Sequence, residues 1–190
     1  MNINAKSQRA AGHNKPQFLK LIRNSAPATL ATVLLALGLL VPCVEAQTPI
    51  SMSDTNFILA AAQGGMTEVK RGELASTSGM RTNVKDFGQL MVKDHTAIND
   101  NLKALAAQKG VTLPDSLDAK HQAMVDNMSS LTGPGFDDAY IAGMIKAHTK
   151  DARAFKAESA ATQDADIKSF LDKSIPIVEA HLKHVSAMKK

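Results

Sequence analysis

Glu68, His95, His148 and His181 stand where the surrounding hydrophobic pattern calls for apolar side chains. Each lies on or beside the apolar stripe of a different predicted helix. A buried carboxylate or imidazole is costly unless it is paired, hydrogen-bonded or bound to a metal. One carboxylate with imidazoles is ligand chemistry for a divalent transition metal such as Fe, Mn, Zn or Cu. One reading is therefore a mononuclear site built from Glu68, His148 and His181. His95 is a further candidate ligand, and Asp94 and Asp151 stand close enough in sequence to support the imidazoles. A second reading makes the same residues interhelical hydrogen bonds that fix the register of a bundle. The di-iron carboxylate pattern needs Glu-x-x-His on two helices. Val92, Ile145 and Val178 stand three residues before the histidines, so that pattern is absent.

The elements that must position these residues are helices. Asp54 is expected to cap a helix reaching about Ser78, with Gly79 as its breaker. A second runs from about Thr82 to Lys109 and ends at Gly110. Its stripe is Val84, Phe87, Met91, Asp94, Ile98, Leu102 and Leu105, broken by Asp94 with His95 beside it. A crossover over residues 110–136 carries a shorter helix of roughly Ser116 to Leu131. Asp137 or Asp138 then caps a helix to about Thr162 with Ile141, Ile145, His148, Ala152, Phe155 and Ser159 inward. The last helix runs from about Asp164 to Met188. It turns Ile167, Phe170, Leu171, Ser174, Val178, His181, Val185 and Met188 inward, and Pro176 predicts a kink within it. Two antiparallel hairpins joined by one long crossover form an all-α, ferritin-like four-helix bundle with a short extra helix. The hairpins look alike: a shift of 83 residues brings Asp54 onto Asp137, Phe57 onto Tyr140, Glu68 onto Asp151 and Phe87 onto Phe170. Counting from the turns puts Glu68, His148 and His181 in one layer. His95 falls about two turns away, beside Gln63, Gly64 and Gly65, and the two glycines leave room for water or a ligand.

Composition supports this frame. The 190 residues suffice for one good-sized domain, and only 4% are aromatic. The net charge of +4 misleads, because Lys6, Arg9, Lys15, Lys20 and Arg23 cluster in the first 25 residues. From Gln47 onward, 17 Lys and Arg balance 17 Asp and Glu, which argues against nucleic acid as a partner. Residues 1–46 read as a secretory signal. A basic stretch precedes the apolar run Ala26 to Val41, and Val44-Glu45-Ala46 predicts cleavage before Gln47. Residues 47–53 are expected to be a linker and residues 54–190 the bundle. The address is then export, to the periplasm or in association with the outer membrane. The membrane enters only through the leader if it stays uncleaved. Lipidation at Cys43 is the weaker alternative, since Leu40-Val41-Pro42 makes a poor lipobox. Cys43 is the only cysteine, so the exported part has no disulfide, thiolate nucleophile or Cys-based zinc site. There is no Gly-x-Ser-x-Gly elbow and no phosphate-binding glycine loop after a strand. His121 and His184 read as surface histidines, and the methionines as core filler.

A set of motifs is shared with a known family. They are Asp54-x-x-Phe57, Glu68, Val84-Lys85-x-Phe87, Met91-Val92-x-Asp94-His95, Leu113-Pro114, Gly133-x-x-Phe136-Asp137-x-x-Tyr140, His148, and Pro176 with His181-Leu182. Across about residues 53–188 the chain resembles an uncharacterised bacterial domain family of exported or outer-membrane proteins, placed among ferritin-like helical bundles. The resemblance implies an exported bundle whose recurrent Glu and His positions match Glu68, His95, His148 and His181. It supplies no substrate. The expected function is a non-enzymatic envelope protein, stress-related or binding an envelope partner or a second copy of itself. The rival is a metal-binding or redox protein.

Overall fold

A computed structural model describes residues 50–189. The leader, its cleavage position, Cys43 and the first part of the expected linker lie outside the described residues. The described chain forms five helices: α1 (Met52–Ser78), α2 (Thr82–Gln108), α3 (Ala119–Ser129), α4 (Gly133–Ala161) and α5 (Ala165–Ala187). The four long helices form an all-α bundle of two hairpins, α1–α2 and α4–α5, and α3 rides in the crossover against α1 and α4. No described helix is long and apolar enough to cross a membrane.

Helix starts depart from the sequence reading where a different polar residue reaches the free N–H groups. Ser51, not Asp54, caps α1, its hydroxyl accepting from the Asp54 amide at 3.0 Å. The helix thus takes in Met52 and Ser53 of the expected linker. Helix α4 begins at Gly133, ahead of Asp137, with Thr132 at its cap and Pro134 in its first turn, where a missing N–H costs nothing. Asp137 is free to serve another element. Its carboxylate accepts the amides of Met80 and Arg81 at 2.9 Å each and the Arg81 Nε–H at 3.1 Å. The start of α4 therefore clamps the α1–α2 turn. Asp54, 83 positions earlier, has no matching clamp: it is bonded within its own turn to Ser51, and its Oδ1 is buried without a hydrogen-bond partner. The hydrogen bonds to Asp137 hold its carboxyl below the usual range despite burial. Asp118 caps the shorter α3, and Asp164, where the last helix was expected to start, caps α5. Gly110 closes α2 with φ +69°, a conformation only glycine adopts without strain. Helix α5 continues unbroken through Pro176.

Every inward residue expected on α5 is buried. On α2 the inward position belongs to His95, and Asp94 sits partly exposed beside it. On α4 the buried face is Phe136, Tyr140, Ile141, Met144, His148 and Ala152, so Ile145, Phe155 and Ser159 lie at its margin. Two apolar blocks result. One gathers Phe87, Met91, Phe136, Tyr140, Met144 and Val185. The other gathers Ile58, Ile98, Leu102, Ile167, Phe170 and Leu171. The polar residues of interest fall between them in sequence on three of the four long helices.

Gly72 and Gly88 let α1 and α2 touch backbone to backbone. A Cβ on Gly88 would lie 2.7 Å from the Gly72 carbonyl oxygen, whereas one on Gly64 would meet nothing within 4 Å. Gly88→Ala should therefore destabilise by about 2 kcal/mol or more through overpacking. Gly64→Ala should stabilise by about 0.5–1 kcal/mol through helix propensity. Urea unfolding of both variants checks this; equal effects would contradict the packing described.

Candidate metal centre

His95 comes from α2, His148 from α4 and His181 from α5, so three helices and both hairpins supply the group. One ring nitrogen from each lies within 4.8 Å of the others. The rings are 5%, 0% and 2% exposed in that order. His95 Nε2 faces His148 Nε2 at 3.4 Å. One nitrogen on each of two rings is tied down. His148 Nδ1 donates to the Met144 carbonyl at 3.1 Å, one helical turn back. His181 Nε2 donates to the Asp94 carboxylate at 2.9 Å. These bonds set the tautomers, leaving lone pairs at His148 Nε2 and His181 Nδ1. His181 Nδ1 is buried with no hydrogen-bond partner.

Burial dominates the electrostatics. It pushes His95 down to about 3, with the neighbouring His148 and His181 adding to the effect. It pushes His148 down to about 4, against which the Met144 carbonyl only partly acts. Both rings are thus neutral bases at neutral pH, the state a metal ligand needs.

The six residues singled out from sequence divide. His95 joins His148 and His181 instead of lying two turns away. The contact of Gly72 with Gly88 places the mirror of the α1–α2 hairpin at residue 80, which sets Glu68 level with Val92. Glu68 is then roughly 4.5 Å along the axis from His95, at 1.5 Å per residue. It does not belong to the nitrogen cluster. Its Oε1 lies 3.6 Å from Arg71 Nη1, and both side chains are buried. Burial, together with the charge of Asp151, outweighs Arg71 and raises the Glu68 carboxyl to about 7. Asp94 supports His181 as described. Asp151 stands apart from the imidazoles, and burial raises its carboxyl as well. Gly65 provides no room, because the Asn99 side chain fills the space beside it, whereas Gly64 faces open space.

Arg71, Tyr140 and Gly143 were not anticipated. Arg71 is buried, and its guanidinium lies over Gly143, where any side chain would collide with it. Only its spacing of three from Glu68 hinted at a pair. The Tyr140 hydroxyl is buried without a partner, and burial raises it above the usual phenol range. His184 is exposed, packing its ring against Phe87 at 5.0 Å between centroids. His121 is half-buried and bonded to Asp118 at 2.8 Å.

Among the described residues, five helices form a bundle with a buried three-imidazole cluster between its two hairpins. Residues 40–188 match a family described as a domain of unknown function, DUF4142, and the chain belongs to that family. No curated protein matches it. Among solved structures it is similar to a DUF305 fragment from Deinococcus radiodurans, with a TM-score of 0.66 and 10% identity, covering 75% of this chain and 98% of that one. It is also similar to CopM in the Cu(I)-bound form, with a TM-score of 0.60 and 17% identity, covering 71% and 94%. At those identities the likeness is one of fold.

The depressed imidazoles give a pH prediction for metal-free protein. A base whose folded pKa lies below its unfolded value contributes stability that is whole above about 6.5 and is lost as pH falls toward the folded value. His95 and His148, at about 3 and about 4, should each cost on the order of 3 kcal/mol between pH 7 and pH 4. His148→Gln should remove that ring's share of the slope. Urea unfolding of chelator-treated protein at three pH values measures it; an identical slope in the variant would mean that the ring is solvated.

Proposed function

We propose that this chain is an exported metal-binding protein that holds one ion, Cu(I) first and Zn(II) second, between His95, His148 and His181. The observation carrying this reading is the three buried ring nitrogens within 4.8 Å of one another. One nitrogen on each of two of these rings is occupied by a carboxylate and a carbonyl. Metal-bound histidines are oriented in this way by hydrogen bonds from the nitrogen that does not coordinate. Two nitrogens on one ion at about 2.0–2.1 Å are separated by roughly 3.3–3.6 Å for tetrahedral to trigonal angles. The 3.4 Å between His95 Nε2 and His148 Nε2 suits that spacing.

Charge favours a monovalent ion. Imidazoles bring none, Asp94 supplies one negative charge through His181, and Glu68 is opposed by Arg71. Cu(I) with Asp94 is balanced, whereas a divalent ion would leave a charge in a buried layer. Imidazole suits both copper and zinc. A fold neighbour captured with Cu(I) makes copper the metal to try first. Fe and Mn favour more oxygen ligands than this cluster offers. Glu68 therefore moves from ligand to neighbour, and Asp151 plays no part at the ion.

The basic leader and apolar run of residues 1–46 support export with cleavage before Gln47, and the balanced charge of residues 47–190 supports a partner other than nucleic acid. The ferritin-like connectivity of two hairpins and one crossover fits the same reading. Activity beyond binding is not part of it.

Anaerobic titration against a chromophoric Cu(I) chelator should show one ion per chain. His148→Ala and His181→Ala should abolish retention. Asp94→Ala should weaken binding by roughly 10–100-fold, the usual cost of losing the group that orients a ligand. Retention of neither Cu(I) nor Zn(II), or unchanged binding in both histidine variants, would overturn the reading.

A further inference from the structure

Two openings border the imidazole cluster, each through a different ring. A cavity of about 450 Å³ beside α1 is lined by His95, and a shallow cleft of about 380 Å³ between α2 and α5 is lined by His181. His148 is 0% exposed and lines neither. The two differ in charge. Lys120 and Lys150 stand on the cavity with Glu68, Asp118 and Asp151, so a cation entering there meets two ammonium groups. Among the described residues that line the cleft, Asp94 is the one acid, and there is no lysine or arginine. The Asp94 side chain is 25% exposed, and His181 engages its Oδ2 at 2.9 Å. His184 lines the same cleft, one turn after His181 on α5, and its exposed ring rests on Phe87. Leu90, Pro176 and Ile177 give the cleft apolar walls. A carboxylate and an imidazole thus stand together at the surface in front of a buried imidazole, donors that suit a transition-metal ion.

We propose that this cleft is the loading port of the imidazole cluster, where Asp94 and His184 hold an incoming Cu(I) ion at the surface and pass it to His181. Such a port presupposes the metal-binding reading above. Asp94 acts twice. As acceptor for His181 Nε2–H it latches the ring in place. An ion on the same carboxylate competes with that hydrogen bond and frees the ring. His181 then turns its unbonded Nδ1 to the ion, takes it by that lone pair, and swings back to restore the bond to Asp94. No proton leaves the ring, because Nε2 keeps its hydrogen throughout. The apolar walls offer no competing ligand. One negative charge accompanies the ion at both positions, directly in the cleft and through His181 in the interior, so no unpaired charge crosses the apolar layer.

The test uses the full chain, with Cu(I) delivered from and returned to a chromophoric chelator under stopped flow. A group on the path lowers one barrier for both directions, so its loss slows uptake and release alike and leaves the affinity unchanged. His184→Phe keeps the packing on Phe87 and removes the ligand; it should slow both rates by roughly tenfold. His184→Met should restore them, because a thioether suits Cu(I). Gly64→Leu projects into the other opening from a position with no neighbour within 4 Å, and it should change neither rate. Ag(I), a redox-stable stand-in for Cu(I), reads the surface position directly by side-chain NMR of the histidines. Beyond the first equivalent in the wild type, and from the start in His148→Ala, the His184 ring should respond before that of His121. Asp94→Asn should abolish that order. Unchanged rates in His184→Phe, slowing in Gly64→Leu, or a response at His121 no later than at His184 would each overturn the proposal. Any of these in a chain that retains Cu(I) leaves the metal-binding reading standing, whereas failure to retain an ion removes that reading and the port together.

Discussion

The polar layer depends on one constraint: His181 Nδ1 is buried and has nothing to bond to. A buried acceptor without a donor costs about 1–3 kcal/mol. A bundle could have avoided this with a leucine. Here the opposite nitrogen is fixed on Asp94, so the ring cannot turn its lone pair away without breaking a 2.9 Å bond. The same arrangement recurs at His148, whose Nδ1 is held by Met144. Apolar blocks close off the layer, and burial keeps His95 and His148 neutral. Three imidazoles converge in a buried layer, two of them oriented by a backbone carbonyl and by one aspartate.

The neighbouring charges are partitioned so that they do not interfere. Arg71 would repel a cation if it faced the imidazoles without a counter-charge. It sits instead beside Glu68, held in place over Gly143, where no side chain fits. The pair is long at 3.6 Å and leaves Glu68 Oε2 and Arg71 Nε unbonded. It acts as local neutralisation more than as a strong bond. Asp94 remains available to His181 because it lies at the edge of the bundle, next to a shallow cleft shared with Pro176 and His184.

Much of the architecture was legible because it rests on helical period. The α5 stripe was read correctly at every position, through Pro176. The Gly110 stop and the start of α5 near Asp164 followed from local chemistry that needs no tertiary context. The site was legible in residue type but not in membership. His95 was assigned to another level in part because a mirror set one residue from the pivot at 80 shifts a partner by two positions, or roughly 3 Å. Asp94 and His95 are adjacent on a helix, and pattern alone could not say which faced inward. Asp137 was read as a cap for its own helix; it caps the other hairpin's turn instead, a long-range bond that no local rule reveals. Arg71 was invisible for a related reason: a lone arginine normally points to solvent, and only the gap left by Gly143 across the bundle admits it.

The hydrogen bonds within the cluster also say how it would change on taking up an ion. His148 Nδ1 carries a proton for Met144, so His148 Nε2 is an acceptor. The 3.4 Å contact with His95 Nε2 is attractive only when His95 carries its proton at that nitrogen. A metal between the two needs both lone pairs. Binding therefore requires His95 to exchange tautomer, moving its proton to Nδ1 while its ring stays in place. Little is lost, since a 3.4 Å bond is long and weak. The ring also remains neutral throughout, so no charge is created in the apolar layer. His148 and His181 would need no such exchange, because their protons sit on the nitrogens bonded to Met144 and Asp94. The hydrogen bond given up holds α2 to α4, and an ion held by His95 and His148 would replace it with a stronger link between the same helices and would stabilise the fold by mass action.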